Sequence, residues 1–140
     1  MAALCVMVPL CAASPDPDRD FSGIWVLDRA AGDYRQISPP EETLAITQND
    51  RAIGCAAGQA QRIFPLDGGE SKYRVHGERW SSATKWEGSA LLINTLVMGA
   101  RDYTIMDRWR LSADHRSLSV TRQVIRGSEQ AEGVLVYRRR

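Results

Sequence analysis

Apolar and polar residues alternate along short segments of this chain from about residue 21 to its end. In Thr43–Gln48, for example, Leu44 and Ile46 fall on one face, and Thr43, Ala45 and Thr47 on the other. A period of two residues predicts a β-strand, because successive side chains of a strand point to opposite faces. No segment keeps the apolar spacing of an α-helix over about 12 residues. The predicted strands are Gly23–Asp28, Thr43–Gln48, Ala52–Ala57, Arg62–Leu66, Lys72–His76, Arg79–Trp86, Ala90–Met98, Tyr103–Leu111, Leu118–Ile125 and Val134–Arg138.

Short turn sequences separate most of these segments. Asp67-Gly68-Gly69 predicts a hairpin between the flanking strands, because both glycines tolerate positive φ. Strands joined by short turns are antiparallel neighbours, and about eight to ten of them in one chain form a sandwich or a barrel. The regular order favours a single antiparallel up-and-down β-barrel, since closure leaves no strand edge exposed.

The chain divides into three parts. Met1–Ala13 is uncharged and mostly apolar, too short to cross a bilayer as a helix but similar to the apolar core of a signal peptide. It predicts export, to the periplasm or beyond, with cleavage near Ala13. No basic residues precede this core, so whether Met1 is the true start stays open. Residues 14–20 carry two prolines and predict a flexible lead-in, and residues 21–140 form the barrel domain.

Composition narrows the class of protein. At 140 residues, of which 44% are hydrophobic, the chain fits one globular domain. Its 18 Lys and Arg and 17 Asp and Glu leave a net charge of +1, so no long-range field favours nucleic acid, and no stable membrane insertion is expected. Cleavage of the signal peptide leaves Cys55 as a single cysteine, which excludes an internal disulfide. We expect a small buried or partly exposed thiol there rather than a nucleophile.

Motifs for catalysis are missing. His76 and His115 are the only histidines, and neither has a partner at metal-ligand spacing. The chain has no Gly-x-Ser-x-Gly, no Cys-x-x-Cys and no phosphate-binding glycine loop. The sequence therefore predicts no metal, no cofactor and no enzymatic activity. A small barrel enzyme that uses Asp107 with an arginine stays open as a third class of function.

Two charged residues fall on the apolar faces of their strands. Asp107 shares a face with Ile105 and Trp109, and Arg122 shares one with Val120. Their strands are neighbours along the chain, so Asp107 and Arg122 should pair inside the barrel, where an unpaired charge is costly. The pair is either an internal ion pair with no ligand or a site where Arg122 binds the carboxylate of an apolar acid.

Several motifs resemble a known family. Gly23-Ile24-Trp25 matches the Gly-x-Trp that opens lipocalins, and residues 21–27 look like the start of fatty-acid-binding proteins. From about Phe21 to Tyr137 the chain is similar to small exported bacterial proteins of lipocalin-like type. The residues that carry this resemblance are Leu66-Asp67-Gly68, Lys85-Trp86-Glu87-Gly88, Leu91, Ile93, Asp107-Arg108-Trp109-Arg110-Leu111-Ser112-Ala113-Asp114, Leu118, Val120 and Arg122.

The resemblance implies a lipocalin-like, calycin-type barrel with an internal site for an apolar small molecule. It also implies that Arg138 packs over Trp25 as a structural latch through a cation–π contact. Lys85 and Tyr137 are weaker site candidates that we expect to be solvated. The expected ligand-binding residues are Arg122, Asp107, Trp109, Trp86, Ile105, Ile93 and Tyr73.

Two functions follow from this interpretation. The first is an exported barrel, not an enzyme, that binds a small hydrophobic molecule. Whether this molecule also carries an acidic group stays open. The alternative is a filled-core structural or protein-interaction module of the cell envelope with no small-molecule ligand. The identity of a ligand or of a protein partner stays open.

Overall fold

A computed structural model describes residues 16–58 and 60–140 of the chain. The predicted signal peptide, residues 1–13, lies outside these residues. A short 3₁₀ turn, Pro17–Arg19, precedes ten strands. Nine predicted strands are confirmed with small shifts at their ends, and the last one begins five residues before the predicted start, at Glu129. In the described ranges no helix is long and apolar enough to cross a membrane. The strands are β1 (Gly23–Leu27), β2 (Thr43–Gln48), β3 (Ala52–Ala57), β4 (Ala60–Pro65), β5 (Ser71–Val75), β6 (Glu78–Glu87), β7 (Ala90–Met98), β8 (Tyr103–Leu111), β9 (Ser117–Arg126) and β10 (Glu129–Arg139).

The strands form one antiparallel sheet in the order β4-β3-β2-β1-β10-β9-β8-β7-β6-β5. The pairing of β1 with β10 brings the first and last strands together, and the sheet curls into a nearly closed barrel. This confirms the predicted up-and-down architecture. The hairpin predicted at Asp67-Gly68-Gly69 is wrong, because β4 and β5 flank this turn without sharing a hydrogen-bonded ladder.

Side-chain contacts, and no backbone ladder, join β4 to β5. β4 ends at Pro65, which has no N–H to donate, and the Pro65 carbonyl accepts a hydrogen bond from Thr84 Oγ1 of β6 at 2.9 Å. Phe64 meets Tyr73 edge to face with ring centroids 6.4 Å apart, and the Arg62 guanidinium lies 5.7 Å from the Tyr73 ring centroid. We call this gap between β4 and β5 the seam. Closure by backbone hydrogen bonds is therefore incomplete, contrary to the expectation that no strand edge remains.

Aromatic side chains close one end of the barrel, which we call the plug end. Phe21 and Trp25 are fully buried there, and burial of each contributes about 2–3 kcal/mol. Phe21 stacks on Trp86 at a centroid distance of 6.0 Å and meets Trp109 edge to face at 5.6 Å. The 3₁₀ turn covers this end, where the Arg19 guanidinium lies 4.8 Å from the Trp86 centroid. The last residues of the predicted lead-in therefore contact the barrel.

The Gly-x-Trp motif has a packing reason. Gly23 adopts φ +134°, and a Cβ at this position would lie 2.6 Å from Arg139 Nη1. The Arg139 guanidinium lies 4.3 Å from the ring centroid of Trp25 and donates to the Ser22 carbonyl at 2.7 Å. Glycine at position 23 therefore makes room for a cation on the tryptophan face.

The latch is Arg139, so the prediction that Arg138 packs over Trp25 is wrong. The register pairs Trp25 with Arg139 across β1 and β10. Arg138 instead donates from Nε to Asp28 Oδ2 at 3.0 Å. Adjacent residues of a strand point to opposite faces, so only one of these two arginines can reach the ring.

Candidate functional site

A small cavity lies inside the barrel beyond Trp109, on the side away from the plug end. Its volume is about 60 Å³, room for about two water molecules at the roughly 30 Å³ that each occupies in the liquid. We call this cavity the chamber. Its apolar walls include Ile93, Ile105, Trp109, Val120 and Leu135, and its polar groups include Arg62, Trp80, Thr95, Asp107, Arg122 and Tyr137.

The predicted ion pair lies in the chamber wall and is confirmed. Asp107 and Arg122 are directly paired across β8 and β9. Arg122 Nε and Nη2 donate to Asp107 Oδ1 and Oδ2, each at 2.8 Å. Burial by itself would lower the pKa of Arg122, but the charge and hydrogen bonds of Asp107 outweigh it, so the pKa lies above its ordinary value. Arg122 is therefore a permanent cation, clamped in one orientation.

The structure places most of the predicted ligand-binding residues on the chamber. Two lie elsewhere. Trp86 belongs to the plug end, where it stacks on Phe21, and Tyr73 lies at the seam, where its hydroxyl bonds Ser82 Oγ at 2.7 Å. Contact of any of these residues with a ligand stays a prediction. Those on the chamber are Arg122, Asp107, Trp109, Ile105 and Ile93.

Among the chamber residues that the sequence did not single out as site residues are Arg62 and Trp80. Arg62 Nε and Trp80 Nε1 are buried donors with no hydrogen-bond acceptor among the described residues. The register pairs Arg62 with Cys55 on the inner face of β3 and β4, which leaves Ile63 pointing outward and 66% exposed. This orientation is the reverse of what hydrophobicity suggests, so no signal in the sequence points to Arg62.

Tyr137 is also part of the chamber, and the expectation that it is solvated is wrong. It is 2% exposed and donates to the Glu41 carbonyl at 2.8 Å. Burial raises its pKa to about 12, although the charge of Arg122 acts in the opposite direction. Leu135 and Tyr137 share a strand face, and this alternation could have revealed the inward position.

Cys55 faces the chamber as a buried thiol, as expected from the sequence. Burial raises the pKa of this thiol, and the positive charge of Arg62 offsets only part of the effect. Since the thiolate is the reactive form, the side chain behaves as a small apolar group. Within residues 16–58 and 60–140, no three His, Cys, Asp or Glu side chains cluster as they would around a metal ion.

Comparison with solved structures identifies the fold. The barrel superposes with a TM-score of 0.66 on a structure described as a "secretary abundant heat soluble (SAHS) protein from Ramazzottius varieornatus". The match covers 88% of this chain and 99% of that chain at 12% sequence identity. The fold is therefore a lipocalin-like β-barrel. At this identity the likeness concerns the fold alone.

Sequence comparisons add nothing to this result. No protein-family model matches the chain, and no curated protein matches it significantly.

Proposed function

We propose that this chain is a binding protein, not an enzyme, whose chamber takes a compact apolar molecule with one acidic group. The observation that carries the proposal is that one of the two arginines on the chamber has no ion-pair partner. Arg122 is paired with Asp107, whereas Arg62 has no ion-pair partner among the described residues. Glu41 also borders the chamber, but its carboxylate lies against Gly58. An acidic ligand would supply the counter-ion that Arg62 lacks.

The size of the chamber limits the ligand. Pockets for drug-sized molecules start at about 300 Å³, whereas this chamber measures about 60 Å³. A molecule of about two or three heavy atoms fits without movement of the barrel, and a six-atom probe such as isobutyrate enters only if side chains of the chamber move. The seam supports entry from the side, because only side-chain contacts, and no backbone ladder, join β4 to β5.

We further propose that the protein is exported and acts in the periplasm or outside the cell. The support is the uncharged, apolar composition of Met1–Ala13. N-terminal sequencing of the mature protein tests this, and retention of Met1 would contradict it.

A chamber-filling variant tests the binding proposal. Ala57 lines the chamber and is 1% exposed, whereas Ala56, the preceding residue of β3, lies on the outer face. Ala57→Leu should fill the space, and Ala56→Leu is the matched control. Isobutyrate, a small apolar acid, should shift the indole N–H signal of Trp109 in the wild type and in Ala56→Leu, and not in Ala57→Leu.

The same experiment can overturn the proposal. Overpacking costs about 1–3 kcal/mol, so the amide spectrum of Ala57→Leu must first show a folded barrel. If the wild type responds neither to isobutyrate nor to its neutral analogue isobutyramide, the chamber is not a small-molecule site. Equal binding by Ala57→Leu would place the ligand elsewhere.

One observation favours the second candidate, a filled-core structural or interaction module. The chamber, at about 60 Å³, has about one fifth of the volume at which small-molecule pockets usually begin. A wild-type chamber that binds neither small probe supports this alternative.

A further inference from the structure

We propose that the acidic group of the ligand is a carboxylate-like oxyanion held by Arg62, with Trp80 and Thr95 as its other donors, and not by Arg122. This inference rests on the proposed function, because it assigns the anion subsite of the same chamber. It names a residue of β4, beside the seam, that the sequence did not single out.

Arg122 is already engaged. Its Nε and one hydrogen of Nη2 are used in two parallel hydrogen bonds to Asp107, both of 2.8 Å. The carboxylate neutralises the guanidinium, and such a paired arrangement on adjacent strands holds the planar head group in place. A ligand carboxylate would have to share Arg122 with Asp107 and lie beside its negative charge. Arg122 therefore acts as a part of the wall.

Arg62 is a cation without a counter-ion. The ion pairs of the described chain do not include it, and residues 1–15 and 59 contain no Asp or Glu. Its guanidinium lies 5.4 Å from the Trp80 ring centroid and 5.7 Å from that of Tyr73. These rings hold the positive charge by cation–π contact but leave Arg62 Nε without an acceptor.

Trp80 supplies a second donor without an acceptor. Its Nε1 is buried and makes no hydrogen bond with the described residues, and the indole nitrogen can only donate. Buried donors are almost always paired in folded proteins, so each exception asks for an explanation. Here two exceptions, Arg62 Nε and Trp80 Nε1, belong to residues that line the same chamber.

A chain of hydroxyl groups adds a third donor. Tyr73 OH lies 2.7 Å from Ser82 Oγ, which lies 2.7 Å from Thr95 Oγ1. The three hydroxyls carry one proton each, and two of these protons are used within the chain. Either oxygen of each pair can be the donor, and the greater acidity of the phenol favours donation from Tyr73 to Ser82 and from Ser82 to Thr95. The proton of Thr95, a chamber residue, is then left for the interior.

Two donors on the chamber, Arg62 Nε and Trp80 Nε1, therefore lack an acceptor. The carboxylate of Asp107 is engaged by Arg122, that of Glu41 lies against Gly58, and the phenol proton of Tyr137 is donated to the Glu41 carbonyl. A group that accepts several hydrogen bonds and carries negative charge satisfies this set, which is the chemistry of a carboxylate. A purely apolar ligand would leave the donors buried and unpaired.

The experiment compares isobutyrate with isobutyramide, which has nearly the same shape and no charge. In the wild type, isobutyrate should bind roughly tenfold more tightly, because hydrogen bonds to a charged group are stronger by about that amount. It should also shift the Trp80 indole proton downfield, since the indole gains an acceptor. Trp80→Phe assigns that signal.

The variants separate the two arginines. Arg62→Met, which keeps the apolar stem, should bring the ratio of the affinities for isobutyrate and isobutyramide to about one. The control Arg74→Met, on the exposed face of β5, should leave this ratio unchanged. Arg62→Lys keeps the charge and loses Nε, so it should keep part of the preference. The double variant Asp107→Asn, Arg122→Gln removes both charges of the ion pair at once. It should still bind isobutyrate more tightly than isobutyramide.

The outcomes distinguish this inference from the function on which it rests. Equal binding of the two probes by the wild type, or an undiminished preference in a folded Arg62→Met, would overturn the anion subsite while leaving the chamber a small-molecule site. Loss of the preference only in the Asp107 and Arg122 double variant would assign the anion to Arg122. If neither probe binds the wild type, the proposed function falls and the subsite with it.

Discussion

Burial changes the chemistry of single side chains in this barrel. The phenol of Tyr137 is kept protonated because its surroundings disfavour the anion, and its pKa is raised to about 12. Cys55 follows the same rule, since burial raises the pKa of its thiol. Both groups are neutral near neutral pH, which removes the thiolate and the phenolate as nucleophiles.

Tyr137 should control the alkaline stability of the fold. Its folded pKa of about 12 lies above the ordinary value of 10.0. The stability that the buried phenol contributes is therefore complete below pH 10 and is lost as the pH rises through 12. Between about pH 9 and about pH 11, the free energy of unfolding should fall by about 1 kcal/mol on its account.

Urea unfolding of the wild type and of Tyr137→Phe at these two pH values measures this effect. Tyr137→Phe should be less stable at both, because it loses the hydrogen bond to the Glu41 carbonyl, but its stability should depend less on pH. The same alkaline loss in both proteins would contradict the assignment.

At the scale of whole elements, contacts of Arg139 connect the last strand, β10, to the first strand, β1. Trp25 pairs with Arg139 in the ladder of β1 and β10, and this cation also donates to two carbonyls, those of Ser22 and His115, at 2.7 and 3.1 Å. Arg138 points the other way and bonds the side chain of Asp28. Neighbouring arginines of one strand thus have unlike roles, one on a buried ring and one on the surface.

Substitution of these two arginines should give unlike results. Arg139→Gln should lower the free energy of unfolding by about 1–2 kcal/mol, because it removes a cation–π contact and charged hydrogen bonds. Arg138→Gln should have a smaller effect at neutral pH, since exposed ion pairs contribute little. Chemical denaturation at neutral pH compares them, and an equal or larger loss in Arg138→Gln would show that Arg139 is not the latch.

The stability of the same two variants at low pH provides a second comparison. The hydrogen bond from Arg138 holds the pKa of Asp28 below its ordinary value. A depressed folded pKa gives stability that is present above the unfolded pKa and is lost as the pH falls through the folded one. Arg138→Gln should therefore flatten the loss of stability in acid, whereas Arg139→Gln should not.

The seam is the feature that organises the molecule as a whole. Every other pair of neighbouring strands is joined by a backbone ladder, whereas β4 and β5 are joined by contacts such as that of Phe64 with Tyr73. An unpaired strand edge exposes its backbone donors to water. We therefore expect local opening to start at the seam.

Amide hydrogen exchange tests this expectation. The amides of β4 and β5 that face the seam should exchange faster than those of β8 and β9, which are paired on both sides. Two-dimensional NMR after transfer to heavy water measures both sets in one sample. Equal protection at the seam and in the ladder of β8 and β9 would show that the barrel opens only as a whole.

Much of this architecture could be predicted because strand alternation is a local property. The faces of β8 and β9 follow from their residues, and the pairing of Asp107 with Arg122 follows from the short turn between the strands. The position of Arg139 over Trp25 was also within reach, since Leu135, Tyr137 and Arg139 lie on one face of β10. The error with Arg138 came from the resemblance, which took only approximate position into account.

The inward position of Arg62 and the open seam could not be predicted from strand alternation. Arg62 faces inward because its strand pairs with β3 in a register that puts it opposite Cys55, and Ile63 is left outside by the same register. Asp67-Gly68-Gly69 is a suitable hairpin turn, yet the strands beside it do not pair. Side-chain contacts of Tyr73 with Phe64 and Arg62 bridge them instead.

By itself the sequence determined where the strands run, their antiparallel order and the Gly-x-Trp entry into the barrel. These depend on alternation, turns and backbone freedom, which neighbouring residues decide. The tertiary structure alone decided the open seam, the volume of the chamber and the presence of an unpaired Arg62 in it. Those features depend on register and on side-chain volumes from strands far apart in the chain, and no local pattern carries that information.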